Sequence, residues 1–202
     1  MSARIVLFDL GNVVVDWRPI LLYRTLFDDP AEAEWFCANV CNMAWHTAHD
    51  RGVSMDENAA PLITEYPQYE SQIRAWKTGW LDMFAGYVPG TPQLIARLEE
   101  NRIPLYGLSN IPAEKADETF DTFPVIKILR DIVVSGAEKV VNPDPKLYEI
   151  TLQRMGYPDP SEVLFIDDSL KNIDAANALG FETHHFKGAK ELEADLVQRG
   201  LI

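Results

Sequence analysis

The apolar and polar positions of this chain fall into two textures. Residues 5–8 are a short apolar run of β-formers, as expected of a strand buried on both faces, and the run ends at Asp9 before a turn signal at Leu10, Gly11 and Asn12. After Asp16 the β-rich texture stops, and apolar residues recur at helical spacing to about residue 85. Helices are expected over 18–27 and 31–40, over a segment that a capping box of Ser54 and Glu57 opens toward Tyr66, and over 70–84 with a break near Gly79. All five tryptophans lie in this block; most read as core, while Trp17 and Trp45 stand near loops and can line a pocket.

From Val88 onward strands and helices alternate. Thr91 followed by Pro92 reads as a hydroxyl cap with proline in the first turn of a helix that runs to about Asn101. Strands are expected over 103–108, 131–134, 163–166 and 182–186, with helices over 146–155, 171–179 and 191–198; Gly180 is a C-terminal cap signal. The alternation predicts an α/β protein with a parallel, doubly wound, Rossmann-like sheet. The helical block interrupts it straight after the first strand. The reading is therefore a core of residues 1–16 and 86–202, with residues 17–85 an inserted helical cap over the strand ends.

Composition narrows what this fold can do. A hydrophobic fraction of 47% supports a full core in 202 residues, and 24% charged residues is ordinary for a globular chain. Net charge is −13, from 31 acids and 18 bases, which argues against nucleic acid as a partner because such binding needs a basic footprint. An anionic substrate must then be held by a local device, a metal ion or a helix N-terminus. No apolar run approaches the ~20 residues of a membrane span, and the N-terminus lacks the pattern of a secretion signal. Cys37 and Cys41 read as a buried helix face, so a reducing cytoplasm is the expected location. Monomer and homodimer are both compatible with the composition.

Three expected strands end in chemically informative residues: Asp9, then Ser109 and Asn110, then Asp167 and Asp168. In an open parallel sheet such ends face one crevice. Two adjacent carboxylates opposite a third repel one another unless a cation or proton lies between them, and a hard ion such as Mg²⁺ suits oxygen ligands. Ser109 can serve an oxygen of a bound oxyanion. Asp9 is a carboxylate able to act as a nucleophile.

These motifs, in this order, resemble the haloacid dehalogenase-like hydrolase superfamily, in the branch with a helical cap after the first motif. That branch holds sugar-phosphate phosphatases and 2-haloacid dehalogenases. The resemblance rests on residues 7–13, 107–110, 141–148 and 165–172, with Ala175, Ala176 and Gly180 following the last motif, and it spans nearly the whole chain. It implies Asp9 as nucleophile, and Mg²⁺ held by Asp9, the Gly11 carbonyl and Asp168, with Asp167 assisting through water. It further implies that Ser109 holds the phosphoryl group and that Asn110 positions Ser109 and the substrate.

Two positions depart from the phosphatase pattern. A second Asp, the general acid and base, is expected two residues after the nucleophile, where this chain has Gly11; the third motif should open with Lys, where it has Asn142. Lys139 and Lys146 flank that gap and either could replace the lysine, with Lys146 counted among the catalytic candidates. The cap segment 45–52 resembles a short turn that family members aim at the active site. It makes His46, His49, Asp50 and Arg51 specificity candidates beside Asn12, Trp17 and Asn142, whereas His184 and His185 are given no role. The implied function is a Mg²⁺-dependent phosphatase of a small phosphorylated metabolite. The alternatives are a 2-haloacid dehalogenase-type hydrolase and a catalytically impaired binding or regulatory protein.

Overall fold

Every strand ladder of the main sheet is parallel, and the apolar run at the start of the chain sits in its middle. The computed structural model describes residues 3–202. In chain order its elements begin with β1 (Ile5–Phe8) and β2 (Val15–Trp17), followed by α1 (Ile20–Leu26), α2 (Pro30–Asn39), α3 (Met43–Asp50), α4 (Met55–Glu65) and α5 (Glu70–Thr78). The chain then returns through β3 (Phe84–Tyr87), α6 (Thr91–Glu100), β4 (Leu105–Ser109), α7 (Ala113–Thr122), β5 (Ile132–Val134) and α8 (Ser135–Glu138). It closes with α9 (Pro145–Arg154), β6 (Val163–Asp167), α10 (Leu170–Ala178), β7 (Glu182–His185) and α11 (Ala189–Gln198). The sheet order is β5-β4-β1-β6-β7, so β1 is flanked by strands reached from opposite directions. This is the doubly wound arrangement, with its crevice at the carboxyl end of β1.

Side-chain alternation along β1 divides the core. Val6 and Phe8 pack on one face with Leu94, Leu98, Leu192 and Leu196 from α6 and α11, whereas Leu7 packs on the other with Leu147, Tyr148 and Ile173 from α9 and α10. Register does the rest of the positioning. Phe8 lies opposite Gly107 on β4 and Ile166 on β6, so Asp9 emerges beside the ends of both strands.

The helical block has a hydrophobic cluster of its own, built on Tyr23, Phe36, Ile73 and Trp76. The capping box at α4 is complete: Ser54 Oγ accepts from Glu57 N–H, and the Glu57 carboxylate accepts from Ser54 N–H at 3.3 Å. Cys41 is buried and Cys37 half-buried, both free thiols; Cys37 lies on α2 as expected, whereas Cys41 falls just beyond its end rather than on a helix face. Burial pushes these thiols up, to about 12 and about 11. None of the helices is long and apolar enough to cross a membrane, among the described residues.

Four expectations are corrected. The boundaries at 16/17 and 85/86 fall inside a two-stranded antiparallel ribbon, in which Val15 faces Tyr87 and Trp17 faces Phe84. Such short strands, one carrying Gly86, have too little β-pattern to be read against a helical background. Thr91 does not cap α6: Gly90, at φ +88°, stands at the N-cap, and Thr91 Oγ1 is buried without a partner. The segment expected to be a turn at 45–52 is mostly helix, α3, because the Asn42 side chain caps it by accepting from Trp45 N–H at 2.9 Å. Finally, α7 and α8 fill the stretch between 111 and 138, where the sequence suggests only a strand.

Candidate active site

The loop after β1 turns back on itself immediately. Asp9 N–H donates to Ile166 O (2.9 Å), holding the end of β1 against β6. Asn12 adopts φ +56°, a left-handed conformation that asparagine tolerates, and its N–H donates to Val15 O at 2.7 Å. Its side-chain Oδ1 accepts from Trp17 N–H at 3.2 Å, so one asparagine ties the loop after β1 to the ribbon. A side chain at Gly11 would meet no atom within 4 Å of its Cβ.

Asp9, Asp167 and Asp168 each offer a carboxylate oxygen within 4.8 Å of the others. Burial, and then the charges of Asp167 and Asp168, hold the Asp9 carboxyl well above the usual carboxylate range, against a 2.8 Å hydrogen bond from Leu10 N–H that pulls it down. Asp167 is fully buried and lifted to about 6 by burial, although it accepts from Ser169 N–H (2.7 Å) and from Asn172 Nδ2 (2.9 Å). Asp168 is also raised by burial, with Asn12 and His185 opposing. Three mutually repelling, partly desolvated carboxylates are a set that a hard divalent cation fits. Both oxygens of Asp167 already accept hydrogen bonds, so among the three carboxylates Asp9 and Asp168 are the less engaged.

Opposite the acids stands Ser109, 4% exposed at the end of β4. Its neighbour Asn110 makes a two-way clamp on the loop before α9. Asn142 N–H donates to Asn110 Oδ1 at 2.8 Å, and Asn110 Nδ2 donates to Asn142 O at 3.3 Å. The Asn142 Oδ1 is buried with no partner. Ile111 N–H then donates to Ser135 Oγ at 3.1 Å, anchoring the chain beyond the clamp.

A cavity of about 330 Å³ joins these groups, bordered by Asp9, Gly11, Ser109, Asn142 and Asp168 on the sheet side. The helical block contributes Trp17, Met43, His46, Thr47 and Asp50 to its wall. Asn12, Trp17 and His46 are thus brought to the cleft as expected; His46 lies with its ring centroid 5.1 Å from that of Trp17. Burial lowers His46 to about 3 and raises Asp50 to about 7, which favours the uncharged imidazole and the protonated carboxyl. The two approach to 3.3 Å, His46 Nε2 to Asp50 Oδ1, without hydrogen-bond alignment.

Three expected site residues are not brought in. Lys146 sits on the exposed side of the first turn of α9 with its ammonium on Glu149 (2.9 Å), because helical i,i+3 spacing offers it a closer carboxylate. His49 points the other way along α3, where Asn58 Nδ2 donates to its Nε2 at 2.9 Å, and it borders a separate cavity with Gly52 and Glu114. Arg51 lies beside Lys139 at a neighbouring cavity. Three residues given no role in the sequence are at the site. Lys171 borders the catalytic cavity, and Asn172 holds Asp167. His185 Nε2 lies 3.0 Å from Asp168 O. Parallel register could have flagged His185, since it pairs with Asp167 across β6 and β7.

Comparison with known proteins agrees with this geometry. The chain is 25% identical over 183 residues to a sesquiterpene phosphatase of Aspergillus oryzae, covering 89% of this chain and 87% of that protein. It is 20% identical to a phosphorylated carbohydrates phosphatase of Thermotoga maritima, covering 88% and 82%. Among solved structures it superposes on a HAD family enzyme of Bacteroides thetaiotaomicron, in complex with magnesium and inorganic phosphate, with a TM-score of 0.68 at 22% identity over 93% of this chain and 96% of that one. Residues 3–180 match the haloacid dehalogenase-like hydrolase family, and the chain belongs to it.

Proposed function

We propose that the protein is a Mg²⁺-dependent phosphatase of a small phosphorylated metabolite, working through an aspartyl-phosphate on Asp9. The observation that carries this reading is the convergence of three strand-end carboxylates on one point, with Ser109 across the cavity from them. Displacing halide from carbon needs no such cation site, so the acid cluster favours phosphoryl transfer over dehalogenation. The relatives named as phosphatases support the same choice.

Bound by Asp9, Asp168 and the Gly11 carbonyl, the ion would neutralise phosphoryl charge and keep the Asp9 carboxyl ionised. The Asp9 carboxylate then attacks phosphorus, an O–P bond forms to Asp9, and the bond to the leaving oxygen breaks. Water cleaves the acyl-phosphate in a second step and releases inorganic phosphate with Asp9 restored. Ser109 O–H donates to a phosphoryl oxygen, and the Asn110–Asn142 clamp fixes the chain just beyond it at the end of β4. Lys171, on the wall of the same cavity, supplies the positive charge that Asn142 does not. The helical block acts as the cap, closing the cleft with Trp17, His46 and Asp50.

The test is phosphate release from phenyl phosphate with Mg²⁺ and with chelator, run beside chloride release from 2-chloropropionate. Mg²⁺-dependent phosphate release that Asp9→Asn abolishes in a folded protein is the expected result. Chelator-resistant chloride release with no phosphate release would put the dehalogenase reading in its place.

A further inference from the structure

Beside the catalytic cavity lies a second one of about 490 Å³, and the two share the wall formed by Thr47, Asn110, Asn142, Pro143 and Lys171. Three cations border it: Arg51, Lys139 and Lys171. In a chain with 31 acids against 18 bases, most bases find a carboxylate, as Arg18, Arg24, Arg74, Lys77, Lys115 and Lys127 do. These three make no ion pair with any described residue. The acid on the same wall, Asp144, is occupied as the N-cap of α9, its Oδ1 accepting from Lys146 N–H at 2.9 Å.

The backbone holds two of the cations together. Lys139 takes φ +59°, a left-handed conformation that costs a lysine energy and that glycine would adopt freely. Gly52 packs so tightly on this segment that a Cβ there would lie 2.8 Å from Gly136 O and 3.0 Å from Lys139 Cγ. Arg51, next to Gly52, is therefore seated beside Lys139 although the two come from the helical block and from the core.

We propose that this cavity binds a second anionic group of the substrate. On the phosphatase reading above, on which this rests, the substrate is a phosphate ester that carries a further carboxylate or phosphate in the same molecule. Its transferred phosphoryl group lies between Asp9 and Ser109. Its second anion lies between Arg51 and Lys139. Lys171 borders both cavities and serves both anions. An overall negative protein thereby selects a multiply charged substrate through a local positive field.

The test measures binding in Mg²⁺ by calorimetry for three probes: ethylphosphonate, 3-phosphonopropionate and propane-1,3-diylbisphosphonate. The wild type should bind at least one of the two doubly anionic probes about tenfold or more tighter than ethylphosphonate, and which of them gains more tells carboxylate from phosphate. Arg51→Met/Lys139→Met should erase that advantage and leave ethylphosphonate unchanged, while Lys171→Met should weaken all three. Equal affinity for the three probes, no binding of any, or an advantage that survives the double substitution overturns the proposal. Turnover of phenyl phosphate, which has no second anion, judges the phosphatase reading separately.

Discussion

Replacing Gly11 by aspartate should change which substrates the enzyme can hydrolyse. Positioned acid catalysis typically contributes ~10²–10⁴-fold, or roughly 3–5 kcal/mol of barrier, where a leaving oxygen must be protonated. With glycine at position 11 that contribution is missing, and its absence weighs on alkoxide leaving groups while sparing aryl oxides and acyl groups that depart as stable anions. The structure allows the side chain in. A Cβ at Gly11 meets no atom within 4 Å, and Gly11 is not among the glycines with positive φ. It also borders the catalytic cavity directly, as well as a smaller apolar cavity of about 50 Å³ behind it. The assay is log(kcat/KM) against leaving-group pKa, over aryl and alkyl phosphates with chemistry rate-limiting. Wild type should give a steep negative slope, and Gly11→Asp should raise the alkyl end by about 10²-fold or more while moving the aryl end little. A shallow wild-type slope that Gly11→Asp leaves unchanged would refute the reasoning. The proton would then come from elsewhere, and Asp50, the buried carboxyl on the same wall, would be the residue to substitute next.

Three further outcomes are expected. Asn142→Lys should raise kcat/KM across the whole leaving-group series, because charge on the phosphoryl group matters for every substrate alike; a gain confined to alkyl phosphates would contradict this. Mg²⁺ at about a hundredfold its Kd should stabilise the wild type by ~2.7 kcal/mol, seen as a rise in Tm, and Asp168→Ala should lose most of that rise; an undiminished rise would place the ion elsewhere. For Asp50 the sign follows from burial. The folded carboxyl keeps its proton to about 7 whereas the unfolded chain gives it up near 3.8, so stability falls as pH rises through that window. Asp50→Asn lacks this penalty, which is at most about 4 kcal/mol. Its Tm relative to wild type should therefore climb from about pH 4 to about pH 7 and level off above; a pH-independent difference would mean that Asp50 titrates normally.

The strand ends were legible because the relevant pattern is local. Each of Asp9, Ser109 and Asp167 terminates an apolar run, and parallel pairing leaves such ends no choice but a common edge. The capping box at α4 was readable for the same reason, since both its hydrogen bonds span three residues. What failed to show depended on tertiary contact. Nothing in the spacing of Lys146 says that Glu149 will hold it outside, or that Lys171, one turn into a different motif, will reach the cavity instead. His46 and His49 lie one helical turn apart, yet only the first meets Trp17, because Asn58 from α4 captures the second. The α7 helix escaped notice because its buried positions include Lys115 and Thr119, whose polar identities mask the apolar face.

The β2–β3 ribbon has a bearing on how this chain can be assembled and altered. Trp17 and Phe84 are paired across it, so the residues numbered 18 to 83 leave the core and return to the same place. Viewed from the sheet, the helical block is the loop of a very long hairpin. Closing a loop of that length costs on the order of 4 kcal/mol of chain entropy beyond the fixed part, and each doubling adds only ~0.6 kcal/mol. Lengthening or exchanging the helices is therefore cheap for the core, so long as the two short strands still meet. Natural variation in substrate choice can accumulate between those strands while β1, β4 and β6 keep the reacting groups in register.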